Sequence, residues 1–267
     1  MNVYTLISAC NLTSIEELCL KEKNIKDHVI IVNQNLNHKC NDKTYFDESN
    51  DIKMVTYTEK GISKSRNRLL TNSKNGIGII TDDDITFVPD YTTLIEKVYE
   101  ENPTADIITF NIKIGDKIIG SDKQFKHNQI SIFSICSCQI SLKINSIKDK
   151  SISFDESFGI GSSFSSGEEN IFLNDCLAKG LNIIHVPILL CEHPDENTTG
   201  EKWDVRLVKS KGAFSYRILK KFYFIIGIYF MFFKHSYYKK QLSIVEFIKF
   251  FIEGKNEYKN MKRGSND

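Results

Sequence analysis

Apolar residues in the first half of the chain fall into short, nearly continuous runs separated by longer mixed stretches. Val3–Ala9, Val29–Val32, Met54–Tyr57, Gly76–Thr81 and Ile107–Ile114 are such runs, with the length and continuity of strands buried on both faces. Between them the spacing turns helical. Thr13 or Ser14 is placed to cap a helix through Lys23, with Glu16 and Glu17 in its first turn. Gly61 ends the third run, and helices are predicted over Ile62–Ser73 and, amphipathically, over Tyr91–Glu101. This alternation predicts an α/β fold: a Rossmann-like, mixed, mostly parallel central sheet with helices on both faces.

The pattern then loosens. A hairpin is expected over Lys113–Ile119 around Gly115-Asp116, with further strands at Ile130–Ile135 and Gln139–Ile144. Phe158–Gly167 (FGIGSSFSSG) reads as an exposed, adaptable loop ahead of a helix starting near Glu168. Leu181–Val186 reads as a strand ended by Pro187, and Glu192–Gly200 as a polar, turn-rich loop. From Arg206 the chain reads as helical, basic and aromatic. The division expected is a domain over 1–204 and a C-terminal helical extension over 205–267.

Composition narrows the possibilities. With 41% hydrophobic and 26% charged residues, a sizeable core is available, and a net charge of +1 gives no reason to expect a nucleic-acid partner. Seven cysteines, an odd number without a C-x-x-C, read as reduced thiols suited to the cytosol. Cys136 and Cys138, if on a strand, would share one face. MNVYTLISACN has no basic region leading into an apolar run and reads as a strand, not a secretion signal. Phe222–Phe233 is too short to cross a bilayer, which takes about 20 residues.

The candidate chemistry gathers at strand ends. Asn11, Asn33-Gln34 and Asp82-Asp83-Asp84 all follow predicted strands, where open α/β sheets bind ligands. Three consecutive carboxylates suit a hard divalent cation whose remaining ligands are phosphate oxygens; they also suit a solvated turn with Asp84 as a cap. Arg66, in GISKSRN, is a permanent planar cation for a diphosphate or a carboxylate, or an ordinary surface arginine. Glu168 and Glu169 open a helix, where the dipole alone favours acids; a general base is the functional alternative. His193 is either a surface imidazole or a metal ligand. Asp155 and Glu156 read as structural or acceptor-side.

The order of these pieces resembles the family 2 glycosyltransferases of GT-A fold, most closely the bacterial members that build capsule, lipopolysaccharide or other surface glycans. LISACN and VIIVNQN are similar to the first two strands, with Asn33-Gln34 where many members carry an acidic pair. GISKSRNRLL resembles the Arg-Asn helix and GIITDDDITFVPDY the DXD metal strand. FDESFGIGSSFSSGEENIFL resembles the acceptor loop and base segment, with Glu168-Glu169 where many members have Glu-Asp. EHPDENTTG looks like the segment bearing a downstream metal-ligand His. The match runs from about Asn2 to Gly200.

The resemblance implies a hexosyltransferase-type enzyme with a nucleotide-sugar donor, UDP-linked, and a glycan or lipid-linked acceptor, reacting by inversion. Donor contacts would come from Ala9, Asn11, Asn33, Gln34, Gly61, Arg66, Asp82 and Asp83. Mn²⁺ or Mg²⁺ would sit on Asp82, Asp84 and His193. Glu169, or else Glu168, would be the base. A nucleotidyltransferase should carry a Gly-rich basic loop where this chain has SACNLTS, and a scaffold or sugar-binding protein needs no acids and His at strand ends. Arg217, Lys220, Lys221 and Lys234 bracket the aromatic run of the tail. That segment either lies on an anionic membrane, placing a cytoplasmic enzyme peripherally on the inner face, or packs on the domain or on a second subunit of a homo-oligomer.

Overall fold

The computed structural model describes residues 2–26, 28–36, 43–194 and 203–264. The apolar runs become strands: β1 (Val3–Cys10), β2 (Val29–Gln34), β3 (Lys43–Asp47), β4 (Ile52–Tyr57), β5 (Ile77–Asp82), β6 (Thr86–Phe87), β7 (Ile107–Ile114), β8 (Lys117–Ile119), β9 (Phe125–Lys126), β10 (Ile140–Lys143) and β11 (Ile183–His193). The helices are α1 (Ile62–Asn72), α2 (Tyr91–Glu101), α3 (Ile144–Asp149), α4 (Glu168–Ala178), α5 (Val205–Leu219), α6 (Tyr223–Phe233), α7 (His235–Tyr238) and α8 (Ile244–Gly264).

All eleven strands join one sheet, in the order β3-β4-β2-β1-β5-β10-β7-β11-β6, with β8 beside β7 and β9 beside β11. The long strands β4, β2, β1, β5, β7 and β11 share a direction; β10 runs against its neighbours β5 and β7. This is the mixed, mostly parallel sheet expected. Side chains alternate between two cores, as the period of two in a strand requires. Ile7, Ile31 and Ile79 enter the core beneath α2, while Leu6, Ile30 and Ile80 enter the one beneath α1, α3 and α4.

Residues 205–264 add a helical layer with a third apolar cluster, which Phe158, Phe164, Ile171 and Trp203 join from outside that segment. Arg217 of α5 grips Asp175 of α4 through both terminal guanidinium nitrogens, at 3.2 and 2.7 Å. Where α5 crosses α8, Gly212 lies against the backbone of Phe251, and Gly254 against the backbone of Lys209. These two hydrogen side chains permit a separation that a methyl would forbid.

Several local expectations change. The helix expected to reach Lys23 is a single 3₁₀ turn over Ile15–Leu18, closed by a Ser14/Glu17 capping box and stopped by Cys19 in the left-handed region (φ 49°). Ile130–Ile135 is not a strand but another 3₁₀ turn, Ser131–Ser134. Cys136 and Cys138 flank the start of a third such turn, not a strand, with sulfurs 3.9 Å apart. Strand β11 runs past Pro187, because its register to β7 shifts on either side of Leu189 and the interrupted ladder needs no donor there. The Gly/Ser loop is anchored rather than free: Phe158 and Phe164 are buried, and Ser63 donates to the Phe158 carbonyl. Of the polar loop expected after Glu192, residues 195–200 lie outside the described residues.

Candidate active site at the strand ends

The carboxyl ends of β1, β2, β5 and β11 meet at one edge of the sheet and carry most of the candidate residues. Arg66, on the inner face of α1, is almost wholly buried and donates to three acids. Its guanidinium lies 3.0 Å from Glu168, 3.3 Å from Glu169 and 3.4 Å from Asp82. One cation thus ties the end of β5 to the first turn of α4. Three surrounding carboxylates more than offset the desolvation of Arg66 and raise its pKa further. Glu168 is pushed up to about 8, first by burial and next by the charge of Glu169, with Arg66 pulling the other way.

Gly167 places the two glutamates. It has φ 102° and presses against the Phe214 ring, so a residue with a side chain meets both a strained backbone and a clash. Asn67, next to Arg66, bonds the main chain of Phe154 on both sides and reaches Glu156 at 3.1 Å, holding the segment ahead of the Gly/Ser loop. Asp155 is held by Arg217 at 3.4 Å.

The acidic triplet divides by direction. Asp82 closes β5 and is taken by Arg66 on one oxygen and by Ser137 on the other, at 3.1 Å. The chain then turns. The carboxyl of Asp83 is raised by burial and by Asp84 and Asp82, while Lys23 donates to its main-chain oxygen. Asp84 faces His193: Oδ2 lies 3.7 Å from Nε2. The short strand β6 explains the meeting, since it pairs Phe87 with Cys191 and Thr86 with Glu192, and Thr86 follows closely on Asp84 while Glu192 directly precedes His193.

Asp84 and His193 fit a hard divalent ion by two observations. Asp84 Oδ1 is buried without a hydrogen-bond partner, which carries a desolvation cost unless something else coordinates it. Nδ1 of His193 lies 2.6 Å from the Pro194 carbonyl and donates there, so Nε2 is the ring nitrogen turned toward Asp84 and open to a metal in the neutral tautomer. Among the described residues no three His, Cys, Asp or Glu side chains converge on one point. Phosphate oxygens and water would complete a coordination sphere, as they do for Mg²⁺.

At the ends of β1 and β2, the Asn33 amide braces the main chain of Leu12 in both directions at 3.0 Å, and Gln34 donates to the carbonyls of Glu59 and Gly61 at 2.8 and 3.0 Å. Asn11 accepts from Leu36 N at 2.8 Å. Ala9 is buried in the core, in register with Asn33. Gly61 begins α1 with φ 127°, beside Ser162 of the Gly/Ser loop. The sequence reading missed Ser137, which holds Asp82 from a 3₁₀ turn with no periodic signature, and the bracing role of Asn67.

No protein-family model matches this chain, and no curated protein matches it in sequence. Solved structures match it in shape. S. aureus TarS residues 1–349 in complex with UDP superposes with a TM-score of 0.60 at 12% identity, over 95% of this chain and 81% of that one. The same protein in complex with UDP-GlcNAc gives 0.58 at 13% identity, over 82% and 67%. Against the longer S. aureus TarS chain the values are 0.57 and 14%, over 82% of this chain, which spans only 40% of that one. The mixed, mostly parallel sheet and its likeness to these structures give this chain the GT-A glycosyltransferase fold.

Proposed function

We propose that the chain transfers a sugar from a nucleotide-sugar donor, UDP-linked, to a hydroxyl of a glycan or lipid-linked acceptor in surface-polysaccharide synthesis. The observation that carries this reading is the pairing of Asp84 with His193 at the edge of the sheet, beside the Arg66-bound glutamates. The S. aureus TarS structures with UDP and UDP-GlcNAc support the donor class.

Asp84 and His193 would hold Mn²⁺ or Mg²⁺, which supplies charge neutralisation for the departing nucleoside diphosphate. Arg66 fixes Asp82 on the donor side and the glutamates on the acceptor side. Glu169 is the base. It is the more exposed of the pair, 16% against 7%, so it can reach an acceptor hydroxyl while Glu168 stays packed. Removing that proton lets the hydroxyl oxygen attack the anomeric carbon opposite the leaving group, which inverts the configuration there.

Thermal shift with UDP and UDP-sugars, with and without Mn²⁺, tests the reading, because a ligand that binds only the folded state raises its midpoint. A metal-dependent shift is expected, lost in Asp84→Asn. No shift with any nucleotide, or a shift that Asp84→Asn leaves intact, removes the assignment.

A further inference from the structure

The helical layer leaves a broad apolar face uncovered. Helix α6 buries Ile226 and Phe230, and turns Phe224, Ile228, Phe232 and Phe233 outward, the last 74% exposed. Helix α8 buries Phe247, Phe251, Gly254 and Tyr258, one helical face, and turns Val245 and Ile248 away from it. The two helices touch where Gly227 meets the Phe251 ring; a Cβ there would lie 2.7 Å from it. The two helices thus belong to one packed layer, and both carry exposed apolar side chains. Exposed apolar surface of this kind marks a membrane or partner site in most proteins that show it.

Charge selects the occupant. From 220 to 249 the chain carries Lys220, Lys221, Lys234, Lys239, Lys240 and Lys249 against one acid, Glu246, in a protein whose overall charge is +1. All but Lys234 among these lysines are exposed. A second copy docked across a two-fold axis would set this basic rim against itself. An anionic bilayer offers the complement on both counts: acyl chains for the aromatic and aliphatic side chains, and negative headgroups for the lysines. No helix among the described residues is long and apolar enough to cross a membrane, so the contact is with the surface.

We propose that α6 and the outward face of α8 form a docking surface for anionic phospholipid bilayers. The orientation follows from packing. Phe214 of α5 touches Gly167, which positions Glu168 and Glu169, and its ring lies 6.4 Å from that of Phe230 in α6. One side chain thus links the acid pair to the lipid-facing helix. The proposal does not depend on the chemistry at the strand ends.

The test is co-sedimentation of the full chain with vesicles of phosphatidylcholine alone and of phosphatidylcholine mixed with phosphatidylglycerol, alongside light scattering for mass. Binding to the mixed vesicles and its weakening by salt are expected. Phe232→Ser with Phe233→Ser should lower affinity about tenfold or more. Lys239→Gln and Lys240→Gln should each lower it about fivefold. Both phenylalanines are exposed, so an unchanged thermal midpoint confirms that the fold survives. Failure to bind mixed vesicles at low salt overturns the proposal, as does binding that the phenylalanine variant leaves unchanged. A dimer that this variant breaks assigns the face to a second copy and also overturns it. Nucleotide binding plays no part in any arm, so failure here is distinct from failure of the glycosyltransferase reading.

Discussion

The guanidinium of Arg66 lies 3.0 Å from Glu168 Oε1, and the two side chains are 3% and 7% exposed. Removing one partner of a buried pair leaves an uncompensated charge, which costs about 3–5 kcal/mol. Arg66→Ala should therefore lower the free energy of unfolding by about that amount in a denaturant titration. Arg66→Lys keeps the charge without the fork and should fall between the two. A loss under about 1 kcal/mol for the alanine variant would show that the cluster relaxes without its cation.

Stability should also depend on pH through Glu168. Its folded pKa is raised to about 8 from an ordinary 4.5, by burial and by Glu169. A raised pKa means that the folded state favours the protonated form. The contribution is therefore complete below the ordinary value and is lost as pH climbs toward about 8. The thermal midpoint should decline across that window, and Glu168→Gln should flatten the decline. Equal slopes for wild type and variant would place the pH dependence on another group.

Turnover separates the two glutamates. Glu169→Gln keeps shape and hydrogen bonding but removes basicity, and should cut turnover roughly 10²–10⁴-fold. Affinity for UDP should hold, because the proton comes from the acceptor. Glu168→Gln should be milder. The reverse ranking would move the base by one residue; full activity in both would turn attention to Asp155 and Glu156.

The crossing of α5 and α8 makes a prediction about packing. Gly254 lies against the backbone of Lys209, which cannot swing aside like a long side chain. Gly254→Ala should lower stability by about 1–3 kcal/mol through overpacking, although alanine is the better helix former. A more stable variant would mean that the helices separate without cost.

How much of this was legible depends on what signal each element leaves. Strands β1, β2, β5 and β7 are buried on both faces, so their apolar runs announce them. Strand β3, KTYFD, lies at the sheet edge with Tyr45 and Phe46 exposed, and so lacks the continuous apolar run that marks the buried strands. The run Ile130–Ile135 has strand-like composition, but Asn128 caps a turn there by accepting from the Ile130 and Ser131 amides. The clustering of acids at strand ends was readable from local pattern alone. The partner of each acid was not. Asp84 finds His193 through β6, two residues with no periodicity, and Asp82 finds Ser137 from a 3₁₀ turn. Arg66 could be read as a ligand for phosphate or for carboxylate, and only the fold, which sets it between the end of β5 and the first turn of α4, gives it three acids.

The acidic triplet bears on the order in which ligands would reach the strand ends. Five carboxyl groups, Asp82, Asp83, Asp84, Glu168 and Glu169, lie at this end of the sheet, and Arg66 is the one cation that bonds any of their side chains among the described residues. A bare diphosphate approaching it meets charge of its own sign, whereas one already carrying a divalent cation has most of that charge cancelled. On the proposed reading, nucleotide and cation would enter as a complex, and free nucleotide should be slow to associate.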